Sequence, residues 1–344
     1  MQILYWILAI VLLGVVILLH ELGHFWSARK MGIKVMSFGM GFGPKLYSWT
    51  GKDGVLYVLR LLPLGGYCRY YGEDESVGDA RDAFNNQPIY KRAISTAAGP
   101  LMNFLTAIVA FFILYSLLGI PTVLTSIQSV VPNSPAEEAG MLTGDEIIYI
   151  NNTPVSSVVD IQNAIAGSEG LPLDLTVTRG GSTIPLTVVP RVIDEAARRA
   201  QIGIQFATGS VRFNPIQSIG YSFRMTGATV GAMFDFLKGL ITRTQSTDDM
   251  VGPVGTLALV SEQTQAGGVS AYISMLAMIS VNLGFFNLLP IPGLDGSRLL
   301  FLLIEKIRGK RSDPNKEGLI HLIGIALLLL LMLPVYIRDI IRLF

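Results

Sequence analysis

One short segment near the amino terminus carries the residue types of a metal site. His20 and His24 flank Glu21 in an HExxH pattern, at the end of an uncharged apolar run that begins at Met1. On a helix, residues i and i+4 lie on the same face, so both imidazoles can bind one ion, and zinc suits imidazole ligands with an open fourth position. Glu21 is placed to accept a proton from a water molecule. Because ionisable side chains are costly beside a membrane span, this cluster predicts a functional site rather than a polar cap.

A hydrolytic zinc site needs a third protein ligand, and two residues are candidates. The last of the three histidines, His321, stands at the start of an apolar segment. There, a histidine at the membrane interface is the commoner explanation. Asp295 lies in a segment where another apolar run breaks at two prolines. Irregular backbone at membrane depth is tolerated where it is buried in protein or lines a water-filled cavity. Asp295 is therefore a candidate ligand, although an ordinary turn leaving the membrane explains its position equally well.

The composition places most of this chain in a lipid bilayer. Of the 344 residues, 51% are hydrophobic and only 15% are charged, whereas about 25% of a typical soluble protein is charged. Mean hydropathy is +0.51. Four apolar stretches come close to the roughly 20 residues that cross a bilayer as a helix. With their flanks, the four predicted spans are residues 1–34, 91–120, 269–297 and 318–341.

The charge balance limits the partners and predicts an orientation. A total of 26 Lys and Arg against 25 Asp and Glu gives a net charge of +1, so nothing indicates nucleic-acid binding. Positive charge concentrates in residues 30–92 and 298–317, and cytoplasmic loops carry such an excess. We therefore expect these segments in the cytoplasm, and residues 121–268 and both termini outside. The single cysteine, Cys68, excludes an internal disulfide and a cysteine-rich metal site.

A glycine-rich segment, residues 35–90, follows the first span. Within it, Val55–Leu61 lies between turn signals, which predicts a short β-hairpin. An exposed strand edge there would be able to pair with an extended peptide. A plain cytoplasmic hairpin is the alternative, because edge strands are common.

Residues 124–208 change to short alternating runs separated by Gly, Asn and Pro. The runs 173–179 and 183–189 flank a Gly-Gly turn and predict a β-hairpin, whereas 158–166 has helical spacing. A small α+β domain is therefore expected. Residues 214–246 have apolar residues at helical spacing, interrupted by charges. This pattern predicts an amphipathic helix lying on the outer leaflet or on the protein.

Three features together resemble the site-2 protease family of intramembrane zinc metalloproteases, in particular its bacterial RseP-like branch. They are the HExxH pattern, the NLLPIPGLDG sequence at residues 287–296 and the insert between the second and third spans. Within that insert, residues 134–152 look like a bacterial PDZ domain. The resemblance covers essentially the whole chain. It implies a polytopic α-helical membrane protein with four transmembrane helices, a membrane-associated β-hairpin loop and one inserted α+β PDZ-like domain.

The resemblance also implies roles for individual residues. His20, His24 and Asp295 match the zinc ligands of the family, and Glu21 matches its general base. Asn287 matches the asparagine that binds substrate near the zinc. The resemblance thereby favours Asp295 over His321 as the third ligand.

Two further segments match family motifs, and two features depart from the family pattern. Gly99–Phe104 matches a motif that we interpret as helix packing, and Gly252–Gly255 matches the segment before the third span. Ser297 stands where the family usually has glycine, and we expect little effect because a small residue is kept. The chain has one PDZ-like insert, where some relatives have two.

The expected function is zinc-dependent cleavage of transmembrane segments of single-pass membrane proteins, in a bacterial inner membrane with the site toward the cytoplasm. The resemblance implies anti-sigma factors or remnant signal peptides as substrate classes. The PDZ-like domain would either exclude substrates with bulky outer domains or capture the C-terminus of a cut peptide. A non-catalytic PDZ-bearing membrane scaffold is the alternative function. A metal-gated transporter is disfavoured, because four spans without inverted repeats or paired intramembrane acids are not typical of transporters.

Overall fold

The computed structural model describes residues 2–73, 77–192, 200–245, 251–311 and 313–343. Residues 1 and 246, at the ends of two predicted segments, and residues 193–199 of the predicted insert lie outside this part. The chain divides into two compact units: Met1–Leu118 together with Phe213–Phe344, and Gly119–Arg212. Each unit is described by itself.

The helices and strands are numbered along the chain. The helices are α1 (Gln2–Met31), α2 (Ile89–Ile113, followed by a π-helical turn over Leu114–Leu118), α3 (Pro135–Glu138), α4 (Val158–Ala166), α5 (Pro215–Ile241), α6 (Pro253–Leu288), α7 (Asp295–Arg308) and α8 (Pro314–Leu343). The strands are β1 (Val35–Thr50), β2 (Leu56–Tyr70), β3 (Ile120–Val130), β4 (Glu146–Ile150), β5 (Thr153–Pro154), β6 (Leu173–Arg179), β7 (Ser182–Val188), β8 (Arg191–Val192), β9 (Ala200–Gln201) and β10 (Ile204–Val211). A short 3₁₀ helix spans Phe84–Asn86.

Four of the described helices are long and apolar enough to cross a membrane, which confirms the predicted number of spans. They are Gln2–Met31, Ile89–Leu118, Pro253–Leu288 and Lys316–Arg342. The third is longer than predicted toward the amino terminus and bends at Gly268, whose φ of 60° lies outside the helical region. It ends at Leu288, just before two prolines that cannot donate a helical N–H.

The predicted segment 269–297 therefore holds the second part of α6, a loop and the first turn of α7. Helix α7 was not predicted. Its amino-terminal residue is Asp295, and its carboxyl end is closed by Gly309 in the left-handed conformation. The structure thus places the acid at the start of a helix rather than in a turn leaving the membrane.

Small residues let the helices of the first unit pack closely. A Cβ added at Gly23 of α1 would lie 2.3 Å from the carbonyl oxygen of Ala98 on α2. Elsewhere on α1, Ala9, Leu12 and Val16 form a buried cluster with residues of α6. Membrane helices associate through such small-residue contacts because the lipid offers no hydrophobic driving force between them.

Helix α5 buries small polar residues and exposes large apolar ones, the reverse of what is usual for a helix lying on a protein. Its buried residues include Ser218, Ser222 and Thr226, which recur every four residues and hydrogen-bond to carbonyls one turn earlier or nearby. Its large apolar side chains, such as Phe223 and Phe234, are exposed. The apolar face of the predicted amphipathic helix therefore points away from the protein.

The sheet of the first unit consists of β1 and β2, which pair mainly antiparallel, and each strand bends. Gly41 and Gly65 lie at the bends with φ of +94° and +114°, values that favour glycine. Because of the bends, the two strands supply four paired segments. The pairings are 35–42 with 62–70, 45–50 with 56–60, and 37–40 with 56–59.

In this register, the exposed edge of the sheet does not lie where the sequence predicted it. Residues 56–59, the middle of the predicted strand Val55–Leu61, are paired on both sides and offer no free edge. Residues 66–70 pair with β1 on one side only among the described residues. Residues 45–50 likewise pair on one side only, so the sheet has two edges open to a further strand, along 45–50 and along 66–70.

The second unit is a small α+β fold with its own core. Its main sheet has the strand order β10-β3-β4-β6-β7, with β5 beside β4, and β8 pairs with β9. Strands β6 and β7 form the predicted hairpin, with Leu173 opposite Val188. Ser157 and Asp160 cap α4 reciprocally. The fully buried Asp145 accepts hydrogen bonds from Arg179 at 2.7 Å, which fixes the β4 end of the sheet.

Candidate metal centre

Two histidines of α1 and the first residue of α7 meet at one point, although 271 residues separate His24 from Asp295. The Nε2 atoms of His20 and His24 lie 3.2 Å apart. Each Nε2 also lies 3.2 Å from Oδ2 of Asp295. Both histidines are buried, and the Asp295 side chain is 19% exposed. The structure thus brings three of the predicted site residues into a triangle of donor atoms.

The far side of each imidazole faces α2. The Nδ1–H of His24 donates a hydrogen bond of 2.9 Å to the backbone carbonyl of Ser95. The proton of a neutral His24 is thereby on Nδ1, so Nε2 presents a lone pair to the triangle. On the other ring, Nδ1 of His20 lies 3.0 Å from Nδ2 of Asn103.

These donor atoms fit a zinc ion. Zinc binds imidazole nitrogen at about 2.0–2.1 Å and carboxylate oxygen at about 2.0–2.2 Å, so the edges of a tetrahedral site are about 3.3 Å long. The three observed edges of 3.2 Å match that length. Two imidazoles and one carboxylate are also a donor set of zinc sites that keep a fourth position open. If both imidazoles carry their proton on Nδ1, the unshared electron pairs of both Nε2 atoms and of Oδ2 face one another, as the ligands of one cation do.

Asp295 is held in place by close backbone packing and a buried ion pair. A Cβ at Gly296 would lie 2.3 Å from the carbonyl oxygens of Leu288 and Leu289, so only glycine fits where α7 begins. Further along α7, Glu305 accepts a 2.9 Å hydrogen bond from Arg92 of α2, and both side chains are buried. Helix α7 is thereby tied to the helix behind the two histidines.

A cavity of 460 Å³ opens onto the triangle. Glu21 and Asn287 line it together with the three donor residues. Glu21 contacts the open edge along residues 66–70, since a Cβ at Gly66 would lie 2.7 Å from its Cγ. Asn287 donates to the carbonyl of Leu283 in its own helix. All five predicted site residues therefore lie around one cavity.

His321, the other candidate for the third ligand, has a different environment. Its Nδ1 accepts a 3.1 Å hydrogen bond from the backbone N–H of Gly293, and Ser297 Oγ lies 3.4 Å away. Among the described residues, the group of side chains that could hold a metal ion comprises His20, His24 and Asp295. His321 lines the cavity and holds the loop that leads to Asp295.

Three residues behind the histidines were missed as site residues. Ser95, Gly99 and Asn103 were either not singled out or interpreted as helix packing. Their i, i+4, i+8 spacing, which places them on one helix face, was the available signal.

Comparison with known proteins finds zinc metalloproteases among the relatives of this chain. The family model described as Peptidase family M50 matches residues 8–331. A protein of Clostridium acetobutylicum assigned as a zinc metalloprotease is 36% identical, with 97% of each chain covered. Zinc metalloprotease RasP of Oceanobacillus iheyensis is 30% identical, with 97% of this chain and 98% of the relative covered. A protein of Rhizobium meliloti with a similar assignment is 31% identical, with 93% and 92% covered.

Among solved structures, the PDZ domain of an SdrC-like protein from Listeria monocytogenes covers 24% of this chain and 85% of its own. The sequence identity is 20% and the TM-score is 0.22, so the PDZ assignment of the second unit stays a prediction. The family match, by contrast, spans most of the chain and includes both the HExxH pattern and the LDG sequence. It confirms the resemblance to site-2 proteases, and this chain belongs to peptidase family M50.

Proposed function

We propose that this protein is a zinc-dependent endopeptidase that cleaves transmembrane segments of single-pass membrane proteins. The observation that carries the proposal is the 3.2 Å triangle of His20, His24 and Asp295, with Glu21 beside it. The chain also has four candidate membrane spans, and two of them carry or precede these residues. Relatives that align over nearly their whole length are named as zinc metalloproteases.

Each residue of the cavity has a role in this reaction. His20, His24 and Asp295 hold zinc, which when bound polarises the scissile carbonyl and acidifies a water molecule. Glu21 accepts the proton of the attacking water and delivers it to the leaving amine. Asn287 holds the substrate backbone beside the cut. The cavity supplies the water that hydrolysis consumes.

The test is cleavage in proteoliposomes that contain a panel of single-pass membrane segments. Wild type loaded with zinc should cleave at least one segment, and removing zinc with a chelator should stop it. Glu21→Gln should keep its zinc and lose turnover, because an amide cannot accept the proton. Cleavage by Glu21→Gln at the wild-type rate would remove Glu21 from the base role.

The open edge along residues 66–70 gives the substrate a way to unwind. A transmembrane helix satisfies its backbone hydrogen bonds internally, so its peptide bonds are exposed only when other partners replace them. An extended substrate strand paired with this edge would receive such partners and lie beside Glu21, which contacts Gly66.

Proline substitution tests the edge. Neighbouring strand residues direct their N–H groups to opposite sides, so one of Tyr67→Pro and Cys68→Pro removes an outward donor. That variant should lose cleavage and keep zinc. Full cleavage by both variants would contradict substrate pairing at this edge.

In this proposal, the second unit is a PDZ-like domain outside the bacterial inner membrane, and it determines which substrates are cleaved. Deleting residues 124–208 separates two mechanisms. If the unit excludes substrates with bulky outer domains, intact substrates become cleavable. If it captures the C-terminus of a cut peptide, cleavage decreases.

A further inference from the structure

One face of α2 lies directly behind the metal triangle. Ser95, Gly99 and Asn103 recur every four residues on this face, and Ser95 and Asn103 are fully buried. The carbonyl of Ser95 accepts from His24, and a Cβ at Gly99 would lie 2.2 Å from Nε2 of the same ring. Asn103 stands in the corresponding position behind His20. This arrangement indicates a role for the face beyond helix packing.

The amide of Asn103 can be oriented in two ways, and only one is compatible with a metal on His20. With Nδ2 toward the ring, Nδ1 of His20 must accept, so the proton of the neutral imidazole moves to Nε2 and no lone pair is left there for zinc. In this orientation Oδ1 of Asn103 is also buried without a hydrogen-bond partner among the described residues.

Rotating the amide by half a turn removes the conflict with a metal on His20. Oδ1 then lies where Nδ2 was, about 3 Å from Nδ1 of His20. It accepts the Nδ1–H, and Nε2 is free to face the triangle. The amide nitrogen then takes the buried position that has no hydrogen-bond partner among the described residues, so it is the lone pair that zinc needs on Nε2 that selects this orientation.

We propose that Asn103 is a positioning residue that accepts a hydrogen bond from His20 Nδ1–H through Oδ1 and so fixes His20 with Nε2 toward zinc. Together with the Ser95 carbonyl behind His24, it makes α2 the outer support of both histidine ligands. This inference rests on the proposed function, because it requires zinc in the triangle. Partners of this kind set the tautomer and orientation of metal-bound histidines.

Variants of Asn103 distinguish a residue that only packs between helices from one that accepts a hydrogen bond from His20. Asn103 also lies against α6, since a Cβ at Gly284 would be 3.2 Å from the Asn103 Cβ. Asn103→Leu keeps the size of the side chain and removes the acceptor. Asn103→Asp keeps acceptor oxygens at the same distance. Thr106→Val is a matched control, because the Thr106 hydroxyl on the same helix bonds only its own helix, at Met102 O, among the described contacts.

The experiment measures zinc affinity by chelator competition on the full chain in detergent, together with the absorption spectrum of the cobalt-loaded protein. Asn103→Leu should bind zinc about 10–100-fold more weakly and shift the cobalt bands. Asn103→Asp and Thr106→Val should bind zinc with nearly wild-type affinity. Thermal unfolding of the metal-free forms shows whether Asn103→Leu is folded before zinc is added.

Wild-type affinity in a folded Asn103→Leu protein would overturn the inference, as would equal weakening in Asn103→Leu and Asn103→Asp. Both results leave the proposed function standing, because wild type still binds zinc. Absence of zinc binding in wild type would instead overturn the proposed function, and the inference with it.

Discussion

Gly99 is the residue of α2 that leaves least room beside the metal triangle. A Cβ at this position would lie 2.2–2.7 Å from three atoms of the His24 ring. Gly99→Ala should therefore displace His24, lower zinc content and cost on the order of 1–3 kcal/mol of stability. The measurement is zinc per chain with a thermal melt.

Gly227→Ala on α5 is the matched control for that substitution. A Cβ there meets no atom within 4 Å, so zinc content should stay at the wild-type level and helix stability should rise slightly. Equal zinc content in the Gly99→Ala and Gly227→Ala proteins would show that α2 does not confine His24.

In the second unit, one buried carboxylate makes stability depend on pH. Hydrogen bonds from the Arg179 guanidinium hold the pKa of Asp145 below its ordinary value. A lowered pKa stabilises the fold above the unfolded pKa of about 3.9, and this contribution is lost as pH falls through the folded pKa. Urea unfolding of the fragment 119–212 should therefore show stability decreasing below about pH 4.

Asp145→Asn is the control for this pH dependence. The variant should be less stable near neutral pH, because an amide pairs more weakly with Arg179, and its stability should change less below pH 4. Parallel pH curves for the variant and the wild-type fragment would contradict the assignment to Asp145.

At the residue scale, the sequence predicted the site residues whose positions depend on local spacing. His20, Glu21 and His24 lie within five residues, so helix geometry alone brings the two rings together. The choice between Asp295 and His321 depends on which residue α7 and α8 bring to α1, and spacing cannot show this. Asn103 escaped prediction because its role depends on the tautomer of a histidine on another helix.

Among the elements, α7 depends most on one ion pair. Arg92 and Glu305 are buried partners that tie α7, with Asp295 at its start, to α2. Glu305→Ala leaves a buried guanidinium without its carboxylate and should cost about 3–5 kcal/mol. Zinc affinity should decrease as well, because α7 positions a donor of the triangle.

The double variant Arg92→Met with Glu305→Met tests whether the stability lost in Glu305→Ala is due to the buried, uncompensated charge of Arg92. Replacing both partners with apolar side chains should restore most of the stability that Glu305→Ala loses. Thermal unfolding of the three proteins gives the comparison. A double variant no more stable than Glu305→Ala would show that the ion pair itself is not the cause.

Element prediction succeeded for the spans and less well for the sheet. Long uncharged runs identified all four candidate membrane helices. The strand at Val55–Leu61 was expected, but its position inside the sheet was not. That position follows from the bends at Gly41 and Gly65, which fold each strand back on the other. Bends that lie outside Val55–Leu61 thus decide which segments form the edges of the sheet.

At the scale of the whole molecule, every donor of the triangle belongs to one unit. Residues 1–118 and 213–344 contain the triangle, the cavity and all four candidate spans. The second unit has a core of its own. The composition of the sequence shifts at residue 124, and the second unit begins at Gly119.

The central claim is that His20, His24 and Asp295 hold one zinc ion, and metal content tests it without knowledge of the substrate. Zinc per chain would be measured in purified wild type and in His24→Ala, Asp295→Ala and His321→Asn. Asparagine at position 321 removes the imidazole and keeps an acceptor for the Gly293 N–H. We expect nearly stoichiometric zinc in wild type and in His321→Asn, and its loss in the other two variants. Wild type without zinc, or zinc that depends on His321 and not on Asp295, would contradict the proposed site.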